Sequence, residues 1–165
     1  MAPTSAGLLM YRKKQGRVQV LLVHPGGPFW KNKDAGAWSI PKGEYDPEGE
    51  EPMAAARREF EEELGFPPVM ENPVELGQIR LKSGKRIYAW AFEGDCDPAA
   101  VSANTFSMQW PPGSGRIKEF YEVDRAEWFD LDRAREKINP GQVNFVDALE
   151  NILARSGPAK QQKDA

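Results

Sequence analysis

Three glutamates, Glu59, Glu62 and Glu63, stand at i, i+3 and i+4 within Met53 to Leu64, a stretch with no internal Gly or Pro. If that stretch is a helix, the three carboxylates leave it on one face. Like charges at this spacing cost a helix roughly a few tenths of a kcal/mol per pair. Their place near the C-terminal end also opposes the helix dipole. Stability alone would not select this pattern, and a solvated face partly neutralised by Arg57 and Arg58 is the plain alternative. A divalent cation would turn the repulsion into attraction. With one histidine, His24, and one cysteine, Cys96, neither a multi-histidine site nor a cysteine cluster can form. The ligands would be oxygens and the ion hard, Mg²⁺ or Mn²⁺. Cys96 lies between Asp95 and Asp97, which opposes thiolate chemistry.

The elements around that face read as alternating strands and helices. Gly7 to Tyr11 and Val18 to His24 are apolar, β-rich runs joined by the polar turn Arg12 to Arg17. Pro25 to Ala37 reads as a long loop, Trp38 to Ile40 as a short strand and Pro41 to Gly49 as a second loop. Pro52 suits a first helical turn and Gly65 a C-terminal stop. Met53, Ala56, Phe60 and Leu64 form the buried stripe of the helix between them. Val74 to Leu81 and Lys85 to Phe92 read as strands around Lys82-Ser83-Gly84. Gly94 to Gly115 reads as irregular and Glu122 to Phe129 as the last strand. Asp132 to Ile138 and Asn144 to Ala154 read as helices, the second with Phe145, Ala148, Leu149 and Ile152 at helical spacing. A mixed sheet with helices on both faces is expected, with one domain over 1–155 and a loose tail over 156–165.

The chain has 165 residues and a net charge of −3, with 40% hydrophobic and 28% charged residues. That suits one globular domain. Nothing approaches a membrane-spanning apolar run, and the first residues lack a secretory signal. The lone cysteine fits a reducing, cytoplasmic setting. Mild acidity disfavours duplex DNA as a partner, and the sequence leaves the oligomeric state open.

The wider spacing is Gly43, six residues, Glu50, seven residues, then Arg58-Glu59-Phe60-Glu61-Glu62-Glu63-Leu64-Gly65-Phe66. It resembles the Nudix box: Gly, five residues, Glu, seven residues, then Arg-Glu-apolar-any-Glu-Glu-any-Gly-apolar. The single extra residue lies in the loop holding Asp46-Pro47, where insertions are tolerated. The resemblance implies an α/β/α sandwich with a mixed β-sheet. It also implies hydrolysis of a phosphoanhydride in a nucleoside diphosphate linked to another group. By position, Glu59, Glu62 and Glu63 match the family's metal ligands, with the Gly43 carbonyl completing the set. Glu59 also matches a water-activating carboxylate, Arg58 the residue that orients the cluster, and Glu50 a supporting carboxylate. Metals lower the pKa of water and neutralise charge on the departing phosphate.

A Glu six residues before a Trp recurs in this family as a further base. Glu122, six before Trp128, fits that pattern, with Glu119 the neighbouring candidate. Trp38-Ser39-Ile40-Pro41-Lys42-Gly43 resembles the branch acting on diadenosine polyphosphates, RNA ends and diphosphoinositol phosphates. Lys42 suits a polyphosphate. The loop Gly26 to Lys33 combines Phe29 and Trp30 with Lys31 and Lys33, so Trp30 and Lys33 are candidates to stack a base and hold phosphate. Arg86, beside Lys85 after the hairpin turn, is a further substrate candidate. Trp110 is read as either a stacking or a covering residue, and His24 as structural. The expected substrate is a diadenosine polyphosphate. Nucleoside triphosphates and RNA 5′ ends are alternatives, and a non-catalytic nucleotide-binding module is a third.

Overall fold

A two-residue turn starts the fold. Strand β1 (Thr4–Lys14) pairs with β2 (Arg17–Pro25), with Lys14 opposite Arg17. Gln15 and Gly16 both take positive φ, 54° and 78°, as a primed hairpin turn requires. The strands therefore run past the expected polar turn, because ladder hydrogen bonds form without regard to side-chain polarity. The computed structural model describes residues 3–164, with side chains to residue 155. The tail expected over 156–165 lies outside the fully described residues.

The main sheet runs β4 (Val74–Arg80), β5 (Arg86–Glu93), β1, β2, β8 (Val123–Asp130). The β1–β5 pair is parallel, while β4–β5, β1–β2 and β2–β8 are antiparallel. Strand β3 (Lys42–Tyr45) pairs with Thr4–Gly7 of β1, whereas β2 pairs with Tyr11–Lys14. One edge of β1 thus serves two partners, and the sheet divides between them. The segment 38–41 fills the division. Ser39 and Val23 exchange backbone hydrogen bonds, and the Pro41 carbonyl accepts from Leu8 N–H.

Helix α1 (Pro52–Leu64) covers one face. Its Ala55, Ala56, Phe60 and Leu64 pack with Ala6, Leu8, Met10, Leu21 and Phe92. Met53, expected in the stripe, is only half-buried. On the other face Phe145, Val146 and Leu149 of α3 (Val143–Asp164) and Ala134 of α2 (Leu131–Lys137) pack with Leu9, Val20, Leu22, Trp38 and Ile87. Alternating residues of β1 and β2 feed the two cores, as strand pleating dictates. This is the expected α/β/α sandwich. No helix among the described residues is long and apolar enough to cross a membrane.

Three local expectations fail. Lys42–Tyr45 is a strand rather than loop, because β1 supplies pairing that its polar residues do not advertise. Trp38 to Ile40 makes isolated bridges rather than a strand. The stretch read as irregular contains β6 (Thr105–Gln109), which pairs with β7 (Ile117–Tyr121) in a separate two-stranded sheet. Strand β8 begins at Val123, so Glu122 is the bend between β7 and β8.

Candidate active site

Helix α1 ends as its sequence demands. Gly65 takes φ 87° and its N–H donates to the Glu61 carbonyl. A Cβ at Gly65 would lie 2.5 Å from the Ser102 carbonyl oxygen. The chain thereby stays close to the 102–104 segment, and Ser102 N–H donates to the Leu64 carbonyl.

From there a series of backbone hydrogen bonds crosses the site. Asn104 N–H donates to the Glu62 carbonyl at 2.9 Å, Glu122 N–H to the Asn104 carbonyl at 2.9 Å, and Gly26 N–H to the Glu122 carbonyl at 3.0 Å. A Cβ on Gly26 would fall 1.9 Å from the Tyr121 carbonyl oxygen, so only glycine permits this approach. The series ties the end of α1, the start of β6, Glu122 and the 26–36 loop into one frame.

Within the frame, Arg58 gathers the carboxylates. Its Nε and Nη2 grip Glu50 at 3.0 and 2.9 Å, a bidentate pair, while Nη1 reaches Glu59 at 2.9 Å and Glu62 at 3.2 Å. This fork geometry suits arginine and not lysine. The contact with Glu50 is the main cause holding the Arg58 pKa above its ordinary value. Glu59 is 9% exposed, and its carboxylate lies against Gly43. A Cβ at position 43 would sit 1.9 Å from Glu59 Oε2. The glycine leaves the room that the carboxylate occupies. Glu63 Oε1 accepts from Lys42 N–H at 3.3 Å.

Charge is concentrated here. Burial first and the Glu62 charge second push the Glu59 carboxyl up, against the pull of Arg58. Burial pushes Glu63 up despite Lys42. Glu122 is raised by burial and then by Glu62, and it lines the same cleft as Glu63. On the other side, burial and then the Lys85 charge lower the Lys42 pKa. A divalent cation would favour the ionised form of every one of these acids. The donors fit such an ion, being carboxylate oxygens, one of them packed directly against the Gly43 backbone. Among the described residues, no three acidic, His or Cys side chains converge tightly enough to hold an ion as they stand. Glu59 and Glu62 are turned to Arg58, and Glu63 to the Lys42 amide. Ion binding therefore means exchanging these protein donors for the cation.

A cleft of about 290 Å³ opens beside the carboxylates. Lys42, Glu63 and Glu122 line it together with Trp30, Lys85 and Gln142. Trp30 is 37% exposed, and the Lys33 ammonium lies 5.1 Å from the centre of its ring. Lys33 itself is not part of the lining. Arg86 is exposed on β5 and also lies outside it, while its neighbour Lys85 takes that place, paired with Glu44 at 3.2 Å. Glu119 faces a different cleft, beyond Glu122.

The loop carrying Trp30 is pinned at its base. His24 is fully buried, with Nε2 donating to the Lys33 carbonyl at 2.6 Å and Nδ1 facing Asp124 Oδ1 at 2.8 Å. Trp38 Nε1 donates to Asp34 at 2.8 Å, and Lys137 pairs with the same carboxylate. Sequence reasoning missed Gln142. It is 2% exposed and its Oε1 accepts from Ile40 N–H at 3.1 Å, holding the segment that leads into Lys42. A polar residue between a Pro-Gly turn and a helix carries no signal of burial.

The NUDIX domain model matches residues 1–149. The mimivirus of Acanthamoeba polyphaga has a "Putative mRNA-decapping protein" that is 31% identical over 133 residues, 76% of this chain and 32% of that protein. The "RNA pyrophosphohydrolase" of Brucella anthropi is 32% identical over 120 residues, 62% of each chain. The chain thus spans about a third of the first relative and under two thirds of the second. Among solved structures, a C. elegans Ap4A hydrolase binary complex matches with TM-score 0.62 at 20% identity, over 91% of this chain and 98% of that one. The NUDIX domain of Shewanella oneidensis NrtR with ADP ribose gives TM-score 0.62 at 16% identity, over 93% and 89%. At such identities these two show a shared fold. The box pattern, the carboxylate frame it builds and the match across residues 1–149 place the chain in the NUDIX domain family.

Proposed function

We infer that this protein is a divalent-metal-dependent hydrolase of a phosphoanhydride bond in a nucleoside polyphosphate, acting on a diadenosine polyphosphate in the cytoplasm. The observation behind this reading is the single cleft shared by Glu63, Glu122, Lys42, Lys85 and Trp30. It sets carboxylates for a metal and a proton acceptor opposite two ammonium groups and an indole. Mg²⁺ or Mn²⁺ held by Glu59, Glu62, Glu63 and the Gly43 carbonyl would supply charge neutralisation and a more acidic water. Arg58 keeps Glu59 and Glu62 in register, and Glu50 keeps Arg58 in place. Glu122, away from the arginine and raised in pKa, is the residue to take a proton from the attacking water. Lys42 and Lys85 repel one another, with Glu44 paired to Lys85 and Glu63 beside Lys42 as partial counter-charges, and a polyphosphate laid along the two ammonium groups would relieve that repulsion. Trp30 offers a face to adenine.

Removal of pyrophosphate from an RNA 5′ end is the second reading, favoured by the names of the two sequence relatives. The test is a chromatographic product profile with Mg²⁺. ATP plus AMP from diadenosine tetraphosphate, with slow turnover of nucleoside triphosphates, is expected. Pyrophosphate released from a 5′-triphosphate RNA, with the dinucleotide left intact, moves the protein to the second reading.

A further inference from the structure

A second cleft, of about 620 Å³, lies across the backbone frame from the first, between the 26–33 loop and the β6–β7 hairpin. The two clefts share walls. Trp30 lines the first and Lys31 and Asn32 the second; Glu122 lines the first and Lys118 and Tyr121 the second. Residues adjacent in the chain thus line the two clefts on either side of Glu122.

Its chemistry is specific. Among the described residues, five large apolar side chains are exposed, and Phe29, Trp30, Ile117 and Tyr121 are four of them. All four sit on this loop and hairpin. Trp110 lines the cleft, its ring touched by one aromatic neighbour and its backbone tied into the hairpin. Phe29 meets it edge to face at 5.4 Å, and its backbone N–H donates to the Arg116 carbonyl at 2.9 Å. Lys31 and Lys118 add cations, and Glu119 and Asp124 add carboxylates, the latter facing His24. A track for a long phosphate backbone would be uniformly basic. Two lysines interleaved with two carboxylates beside an indole suit one nucleoside, which offers a base to stack, ribose hydroxyls to donate and a phosphate to neutralise.

We propose that this second cleft binds the far nucleoside of a two-ended nucleoside polyphosphate, with the base on Trp110 and the adjoining phosphate on Lys31 and Lys118. The proposal rests on the diadenosine polyphosphate reading and extends it to the second nucleoside of that substrate. The test uses the full chain, its Trp110→Leu variant and its Lys118→Met variant, the last at an exposed position where folding is not at stake. The kcat/KM for diadenosine tetraphosphate is divided by that for adenosine 5′-tetraphosphate, which has one nucleoside. Either variant should lower this ratio about tenfold. An unchanged ratio overturns the subsite, whether both rates fall together or neither does. If the wild-type chain hydrolyses neither compound, the functional reading fails by itself. Diadenosine tetraphosphate affinity by calorimetry in Ca²⁺ then decides the subsite. Weaker binding by both variants upholds it and equal binding overturns it. Loss confined to 5′-triphosphate RNA turnover overturns it in favour of an RNA surface.

Discussion

Helix α1 and the β6–β7 hairpin face each other across Glu122, and they are built on opposite terms. The helix spends its charged side chains on one another. Arg58 serves three carboxylates, Glu59 is buried, and Gly43 has given up a side chain to make room. The hairpin half-buries Phe106 and Phe120 but leaves Ile117 68% and Tyr121 58% exposed, with Lys118 between them also exposed. One region is tightly specified before any ligand arrives, while the other holds groups whose partners lie outside the chain. The first suits a reaction step common to a family and the second a substrate particular to one member.

The sharpest way to break this contrast is at the helix. Glu62→Gln keeps an acceptor for Arg58 but removes a charge from the carboxylate cluster. Mg²⁺-dependent turnover should fall about a thousandfold, some 4 kcal/mol of barrier, with no loss in melting temperature because repulsion is relieved. Near-normal rates would dismiss the helix as the metal-binding element. Gly43→Ala comes next. Its Cβ would meet the Glu59 carboxylate at 1.9 Å, so the side chain must leave its place. A fall in kcat of about a hundredfold, with a stability loss of about 1–3 kcal/mol, should show in steady-state kinetics and denaturant melts. Equal activity would mean that the Glu59 position is not what matters.

On the loop side the effect should be smaller and fall on binding. Trp30→Ala should raise KM for adenine-containing substrates about tenfold with kcat nearly kept. Reduced stability at unchanged KM would make Trp30 a packing residue and erase the contrast. The smallest effect concerns Cys96, outside both regions. Burial first, then Asp95, pushes its thiol up to about 11 from an ordinary 9.0. The folded state therefore holds this proton more tightly than the unfolded one, and its share of stability declines as pH rises from about 9 to about 11. Alkylation followed by mass spectrometry should be slow at pH 7.5, rise about tenfold per pH unit and level off only near pH 11; rapid labelling at neutral pH would contradict this burial.

The legible parts of the sequence were those governed by period and punctuation. Phe60 and Leu64 announced a buried helix stripe, Gly65 its end, and the box spacing the carboxylate set. What escaped depended on distant partners. Lys42–Tyr45 is a strand only because β1 offers its edge. Gln142 is buried only because Ile40 and Ser39 need its oxygen and amide. Lys85 rather than Arg86 lines the cleft because it closes the turn before β5, its carbonyl accepting from Leu81 N–H and its ammonium pairing with Glu44, whereas Arg86 opens the strand with its side chain exposed; two adjacent cations carry no signal of which one does so. In the hairpin, Phe106 and Met108 do alternate with polar residues along β6, but β7 exposes Ile117 and half-buries only Phe120, so the pairing partner lacks a matching pattern; Phe106 and Phe120 lie 6.0 Å apart between ring centres.

The backbone frame that runs from Glu62 through Asn104 and Glu122 to Gly26 has a consequence in time as well as in space. Its amides do not belong to one helix or one sheet, so none can be released singly without loosening the next. In hydrogen-exchange experiments Asn104, Glu122 and Gly26 should open together as one cooperative unit. Their common opening rate would then cap how fast the proton acceptor can drift away from the helix it faces.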